Sequence, residues 1–323
     1  MPVVASEGRN SIYRILPKFE RLPDVLRAAI ESLTSLLVLS WVAASDHVDV
    51  AHVHAAAFAT PGFTVGSLLW RLPIVYDCRD EMFPPALVRV GSTMYWFSCG
   101  LNVDAILKDA GVPEEKIVRV PVANPPYVSR YVADNVDDAP KGDSRFTVIF
   151  VGRLIESKGI HLLIESFSEF VATNPGSRLV LVGDDPNDTA KRNVEAFDVA
   201  SKVDIRGELP HHEAIKELAT ADVLVLPSIS EGVPRVILEA FELGVPVIAT
   251  PVGGIPDIIT DKETGLLINR TPDSITRALS RVQEDAPLRA KIERNAREFY
   301  RSRNWETVET RVTATYQNVL DQR

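Results

Sequence analysis

The chain has 323 residues, enough for two domains of ordinary size, and its 46% apolar and 24% charged content is that of a globular protein. A net charge of −9 argues against a general nucleic-acid-binding surface. Two cysteines, Cys78 and Cys99, both in apolar surroundings, give no disulfide framework and point to a reducing cytoplasm; Glu7, Arg9 and Asn10 interrupt any signal-like apolar run at the start.

In chain order, residues 11–16 (SIYRIL) read as a strand ended by Pro17, and residues 24–44 as a helix capped by Asp24. Within that helix the apolar stretch 33–44 is too short to span a bilayer, so it reads as core-facing or interfacial. Residues 48–55 (VDVAHVHA) form a β-branched strand, 64–71 a helix, 73–77 a strand, 102–110 a short helix and 116–120 a strand; 87–96 fits either type. The polar, Pro-, Gly- and Asp-bearing stretch 124–144 follows, with 134–144 read as the linker. Beyond it, strands at 146–151, 178–182, 203–206, 222–226, 245–249 and 265–268 alternate with helices at 160–173, 188–200, 211–220 and 234–243. Helices at 272–284, 287–300 and 306–320 close the chain. Strand–helix alternation in both halves predicts parallel, doubly wound sheets, whose ligands lie beyond the carboxyl ends of the strands.

The turns after those strands carry the residues with chemical meaning. In residues 228–257 (SISEGVPRVILEAFELGVPVIATPVGGIPD), Glu231 and Glu239 stand eight positions apart across a turn and a helix. Gly232 permits close backbone approach, Pro234 suits the first helical position, and the amides behind it (Val233 included) make an anion site. A phosphate with carboxylates ready for hydroxyl groups describes a nucleotide-sugar, although an ordinary strand–helix turn and a solvated Glu239 fit the same letters. In residues 151–159 (VGRLIESKG), Gly152 and Arg153 follow a strand and Lys158 opens the next helix; two such cations can hold a diphosphate or can be plain surface residues. His52 and His54 share one face of a strand without a metal-spaced partner set, and Asp184-Asp185 follows a strand end. The basic run 289–303 fits a solvated helix with pairs such as Arg294–Glu298, or an anionic membrane surface.

Together, E-G-x-P with the second glutamate at Glu239, the run GVPVIATPVGGIPDII and VGRLIESKG resemble the retaining glycosyltransferases of the GT-B fold, glycosyltransferase family 4, also known as group 1. The resemblance covers nearly the whole chain from about residue 11. It implies two Rossmann-like α/β domains facing across a cleft: an acceptor-side domain over 1–138, a donor domain over 139–302 and a terminal helix, 303–323, crossing back. Arg153 and Lys158 would contact the donor diphosphate, Glu231 the sugar hydroxyls and Glu239 the ribose; Arg206 and Gly207 would offer backbone to the base, and Gly254 would join the donor pocket. The strand DVAHVHA resembles the family's D-V-V-H-x-H strand, giving His54 a sugar-facing role against an even alternative of core packing, and YDCRDEMFP partly matches its R-D-x-x-P segment, making Asp80 a candidate base or acceptor-positioning group beside Arg79.

The sequence departs from the family in lacking its opening β-α-β unit, with SIYRIL resembling its third strand, and in carrying Ala123-Asn124-Pro125-Pro126 in place of N-G-V-D. The expectation is transfer of a hexose from a UDP-, GDP- or ADP-sugar to a glycan, glycolipid or lipid-linked acceptor, with no cofactor, no metal and no nucleic acid. A partner chain completing the first domain, peripheral contact with the inner membrane face, and a non-catalytic nucleotide-sugar-binding subunit or truncated fragment stay open beside it. A sugar-nucleotide epimerase is disfavoured by the paired glutamates.

Overall fold

The computed structural model describes residues 3–7, 10–14, 24–45, 48–54, 60–78, 95–135 and 145–322. These fall into two compact units, one of residues 1–120 with 310–323 and one of residues 121–309.

In the first unit, β1 (Val3–Glu7) and β2 (Asn10–Arg14) pair antiparallel. α1 (Asp24–Ser45), β3 (Ala51–His54), α2 (Thr60–Trp70), β4 (Ile74–Cys78), β5 (Tyr95–Ser98), α3 (Leu101–Asp109) and β6 (Ile117–Arg119) follow. β3 to β6 make a four-stranded parallel sheet in sequence order. β4 and β5 are buried along their whole length, as strands covered on both faces must be, and Tyr76 stacks on Trp96 at 4.7 Å.

The second unit opens with α4 (Pro126–Asn135). It then alternates β7 (Thr147–Val151), α5 (Ile160–Thr173), β8 (Arg178–Val182), α6 (Thr189–Ala196), β9 (Val203–Gly207), α7 (His211–Ala219), β10 (Val223–Leu226), α8 (Arg235–Leu243), β11 (Val247–Ala249) and β12 (Leu266–Leu267). α9 (Pro272–Glu284), α10 (Ala286–Arg301) and α11 (Trp305–Asp321) follow. The six-stranded sheet is parallel throughout, in the order β12-β11-β10-β7-β8-β9. Counted within the unit this is 3-2-1-4-5-6 read from the β9 edge. The order reverses between β7 and β10, and ligands of sheets with this order bind beyond the carboxyl ends at such a reversal. On α5, Ile160, Leu163, Ile164, Phe167 and Phe170 recur at helical spacing and are fully buried, each contributing about 1.5–3 kcal/mol of burial.

The end of α11 belongs to the first unit. Tyr316 OH lies 2.5 Å from His52 Nδ1, Arg311 Nη1 donates to the Arg119 carbonyl at 2.7 Å, and Gln322 Nε2 donates to Tyr95 OH at 2.7 Å.

Four details differ from the sequence expectation. The described part of the SIYRIL segment, in the strand Asn10–Arg14, pairs antiparallel with Val3–Glu7 and not with the parallel strands; Val3–Glu7 is a short run that leaves little signal in the sequence. The polar stretch ahead of the linker, for which no element is predicted, holds α4, which runs two residues into 134–144; Pro126 occupies its first helical position, where it needs no N–H partner. Pro234, expected at the first helical position, is the N-cap of α8 at φ −67°, ψ 115°, so the helix begins one residue later, at Arg235. On α10 the i,i+4 pair is Arg289–Glu293 at 3.9 Å, and Lys291 and Asn295 reach Glu263 at 2.5 and 3.1 Å, so much of the basic run is tied to its own fold. Among the described residues no helix is long and apolar enough to cross a membrane.

Candidate functional site

The reversal of strand order sets the loop after β7 beside the loop after β10. Ile229 N donates to Ser157 O at 2.8 Å, which ties the two loops together. Gly159, at φ +73°, makes this approach feasible: a Cβ there would lie 2.2 Å from Pro227 O. Lys158 ends a 3₁₀ turn in the first loop, and Glu231 sits in the second. Lys158 Nζ meets Glu231 Oε1 at 2.7 Å, with the side chains 22% and 12% exposed. Ser228 Oγ donates to the same Oε1 at 2.6 Å, and the Ser228 carbonyl accepts from Thr250 Oγ1 at 2.7 Å. Glu231 Oε2 carries no protein hydrogen bond among the described residues, so one oxygen is held and the other is available.

A third loop, after β11, supports the Glu231 turn from below. Gly254 N donates to Gly232 O at 2.8 Å. Gly253 has φ +56°, and a Cβ on it would lie 1.6 Å from Glu231 O; one on Gly254 would lie 2.5 Å from Val233 Cγ2. These glycines let the carboxylate turn sit where it does. Gly232, Val233 and Pro234 then lead into α8, whose first amides lack intrahelical acceptors and carry the positive end of the helix dipole.

Arg153 is exposed, one residue beyond Gly152 (φ +151°), and its guanidinium has no hydrogen-bond or ion-pair partner among the described residues. Beyond β8, Asp185 accepts from the amides of Thr189, Ala190 and Lys191 at 2.6, 3.1 and 3.3 Å; it caps α6. At the end of β9, the Gly207 carbonyl accepts from Gly183 N at 2.8 Å, and the space where its side chain would be is open. The Arg206 side chain leans toward Asp204 at 3.5 Å and Glu217 at 3.8 Å.

Glu239, on α8, is 5% exposed. Its Oε1 lies 2.8 Å from His211 Nε2, at the start of α7, and His211 Nδ1 in turn bonds Tyr127 OH on α4. Burial, then the Glu239 charge, raise the Tyr127 pKa above its ordinary value, while Arg235 opposes the rise.

On the acceptor side the picture is narrower. Asp80 and Arg79 lie outside the described residues, as does the side chain of His54; the β3 backbone sets His54 opposite Asp77. Its neighbour His52 packs edge-on against Phe97 at 5.3 Å and bonds Tyr316, which is the packing role open to a histidine on that strand. Among the described residues no group of three or more His, Cys, Asp or Glu side chains is placed to hold a metal ion.

The structure therefore brings Lys158, Glu231, Gly232, Val233 and Gly254 together at the carboxyl ends of β7, β10 and β11, with Arg153 on the same loop as Lys158. The sequence singles out the turn that holds Ser228 without giving that residue a role, and does not point to Thr250, His211 or Tyr127. Ser228, three residues before a glutamate, was the one with a local signal; the others meet their partners across 22, 28 and 84 residues.

Comparison with known proteins agrees with this architecture. The family model described as Glycosyl transferases group 1 matches residues 133–299, just over half of the chain. The putative colanic acid biosynthesis glycosyltransferase WcaL of Escherichia coli (strain K12) is 30% identical over 185 residues, 54% of this chain and 43% of that protein. The chain thus spans less than half the length of that relative, and the same holds for a D-inositol 3-phosphate glycosyltransferase of Corynebacterium glutamicum (strain R), 29% identical over 181 residues, 54% of this chain and 43% of that one. In structure the chain is similar to sucrose-phosphate synthase (tll1590) from Thermosynechococcus elongatus, with TM-score 0.79 and 19% identity over 99% of this chain and 86% of that one.

Proposed function

The chain belongs to the group 1 glycosyl transferases, and on that premise we propose that it is a retaining glycosyltransferase of family 4, moving a hexose from a nucleoside diphosphate sugar to a glycan, glycolipid or lipid-linked acceptor. The observation that carries the reading is the Lys158–Glu231 pair at the strand-order reversal, beside Arg153, whose guanidinium has no partner among the described residues. Arg153 and Lys158 hold the donor's diphosphate, and the amino end of α8 adds fixed positive charge without a metal ion. When the diphosphate arrives, Lys158 turns part of its charge from Glu231 to phosphate, and the Glu231 carboxylate accepts hydrogen bonds from the sugar's hydroxyls. Glu239 accepts from the ribose.

In the transfer, the bond between the anomeric carbon and the phosphate oxygen breaks as the acceptor hydroxyl attacks from the same face. Its proton passes to the departing phosphate. Lys158 and Arg153 stabilise the charge that builds there, and no covalent enzyme nucleophile takes part. The donor is a UDP-, GDP- or ADP-sugar, and the reaction takes place in the cytoplasm. Asp80 and His54 serve the acceptor side.

Incubation with UDP-, GDP- or ADP-glucose and water as the acceptor, followed by proton NMR of the released sugar, tests the reading. One donor is hydrolysed, the α anomer appears first, and Glu231→Gln and Lys158→Ala each slow release strongly. First appearance of the β anomer would overturn retention, and release at the wild-type rate in both variants would overturn the site. Tight nucleotide binding without turnover for any acceptor would favour a non-catalytic binding subunit.

A further inference from the structure

Among the described residues the buried carboxylates are Asp77 and Glu239, and Glu239 alone stands in the second unit. A carboxylate taken out of water is costly unless a donor answers it. Glu239 has one: His211 Nε2, 2.8 Å from Oε1. His211 is half-exposed and held from the other side, where Tyr127 OH bonds Nδ1 with the two rings edge-on at 5.5 Å and 83°. The three residues come from α8, α7 and α4, so the contact is assembled by the fold of the whole unit.

The direction of these bonds follows from proton inventory. A carboxylate can only accept, so Nε2 must carry a hydrogen. In the neutral ring Nδ1 is then an acceptor and must receive the Tyr127 hydroxyl hydrogen. The sequence Tyr127 O–H to Nδ1, Nε2–H to Oε1 fixes both the tautomer and the ring plane. It also fixes which oxygen of Glu239 is occupied. Oε2, with no protein partner among the described residues, is left to accept from a ligand.

We propose that His211, locked by Tyr127, is the residue that positions Glu239, and that this arrangement makes the site select ribonucleoside over deoxyribonucleoside diphosphates. The inference rests on the reading of Glu239 as the ribose contact. A buried polar group arranged for a hydroxyl rejects a ligand lacking that hydroxyl, because its own bonding is then incomplete. One charge-assisted hydrogen bond corresponds to a preference of about 10- to 100-fold. His211 is a positioning residue: it acts on the ligand through Glu239.

The experiment is calorimetric titration of the full chain with UDP, GDP and ADP and with their 2′-deoxy counterparts, in wild type and in His211→Ala, His211→Gln and Tyr127→Phe, beside nitrogen-15 NMR of the His211 ring. Wild type prefers the ribose form at least about tenfold. His211→Ala brings the two forms within about threefold, chiefly by weakening the ribose form. His211→Gln, which keeps an N–H toward Glu239, retains most of the preference. Tyr127→Phe loses part of it, and the ring changes from a pure Nε2–H form to a mixture. A purely structural role would weaken both nucleotide forms together and leave their ratio alone. An unchanged ratio in His211→Ala, or a ring protonated on Nδ1 in wild type, overturns the inference while nucleotide binding stands. Should His211→Ala fail to fold, an unchanged ratio and tautomer in Tyr127→Phe overturn it equally. Failure of folded wild-type protein to bind any of the nucleotides overturns the ribose reading of Glu239 and this inference with it.

Discussion

Breaking the Lys158–Glu231 pair separates two things the site does, hold itself together and hold a ligand. At 2.7 Å the Coulomb attraction is about 6 kcal/mol for an effective dielectric near 20. Most of that is offset by the desolvation of both charges. With side chains 22% and 12% exposed, the pair lies between a surface pair, worth about 0–1 kcal/mol, and a fully buried one, whose rupture costs about 3–5 kcal/mol. The expected net coupling is therefore ~1–3 kcal/mol. A double-mutant cycle of Lys158→Met, Glu231→Gln and both, followed by urea denaturation at constant pH, measures it. Each single change destabilises, and the double is less destabilised than their sum by the coupling. Glu231→Gln also leaves the Lys158 charge unanswered, so a nucleoside diphosphate binds as tightly as before or more tightly while donor turnover falls at least about tenfold. Strict additivity, or a coupling below about 0.3 kcal/mol, would show an ordinary solvated pair and refute the reasoning.

Other consequences follow from single positions. Gly253→Ala forces a Cβ to within 1.6 Å of Glu231 O and must displace the carboxylate turn, so both stability and nucleotide affinity fall. Gly207→Ala, also at positive φ but with open space, costs only the ~1–2 kcal/mol of a left-handed alanine, measurable in the same denaturation assay. Tyr76 and Tyr300 are 3% and 4% exposed, and burial pushes both phenols from 10.0 up to about 12. The folded phenol keeps its proton where the unfolded one has lost it. Their contribution is thus fully present below pH 10 and is lost as pH rises toward 12, at ~1.4 kcal/mol per pH unit for each group. Tyr76→Phe and Tyr300→Phe flatten that alkaline decline in denaturation midpoints. Tyr316→Phe removes the bond to His52 and lowers stability by ~1 kcal/mol, read from the same midpoints.

How much the sequence disclosed depended on how local each feature is. The second sheet was legible because β7, β8 and β10 are nearly unbroken apolar runs, ended by Gly152, Gly183 and Pro227, the pattern of strands covered on both faces. Lys158 and Glu231 could be placed because each follows a strand end by a few residues, and the doubly wound order then sets those ends together. α4 was hidden because two prolines and a polar composition mask its periodicity, although Pro126 is well suited to open a helix. The antiparallel pairing of β1 with β2 was hidden because a five-residue strand leaves little periodicity to detect. The His211–Tyr127 contact had no local signal: its partners lie 84 residues apart and meet only once α4 and α7 are in place.

The central claim is that the loops after β7 and β10 bind the diphosphate of a nucleotide donor. Calorimetric titration of the full chain with UDP, GDP and ADP, alongside the Arg153→Ala/Lys158→Ala double variant, tests it most directly. The account predicts micromolar-range binding of one nucleotide and its loss in a double variant that remains folded. Equal affinity in wild type and variant, or no binding by folded wild-type protein, would contradict it.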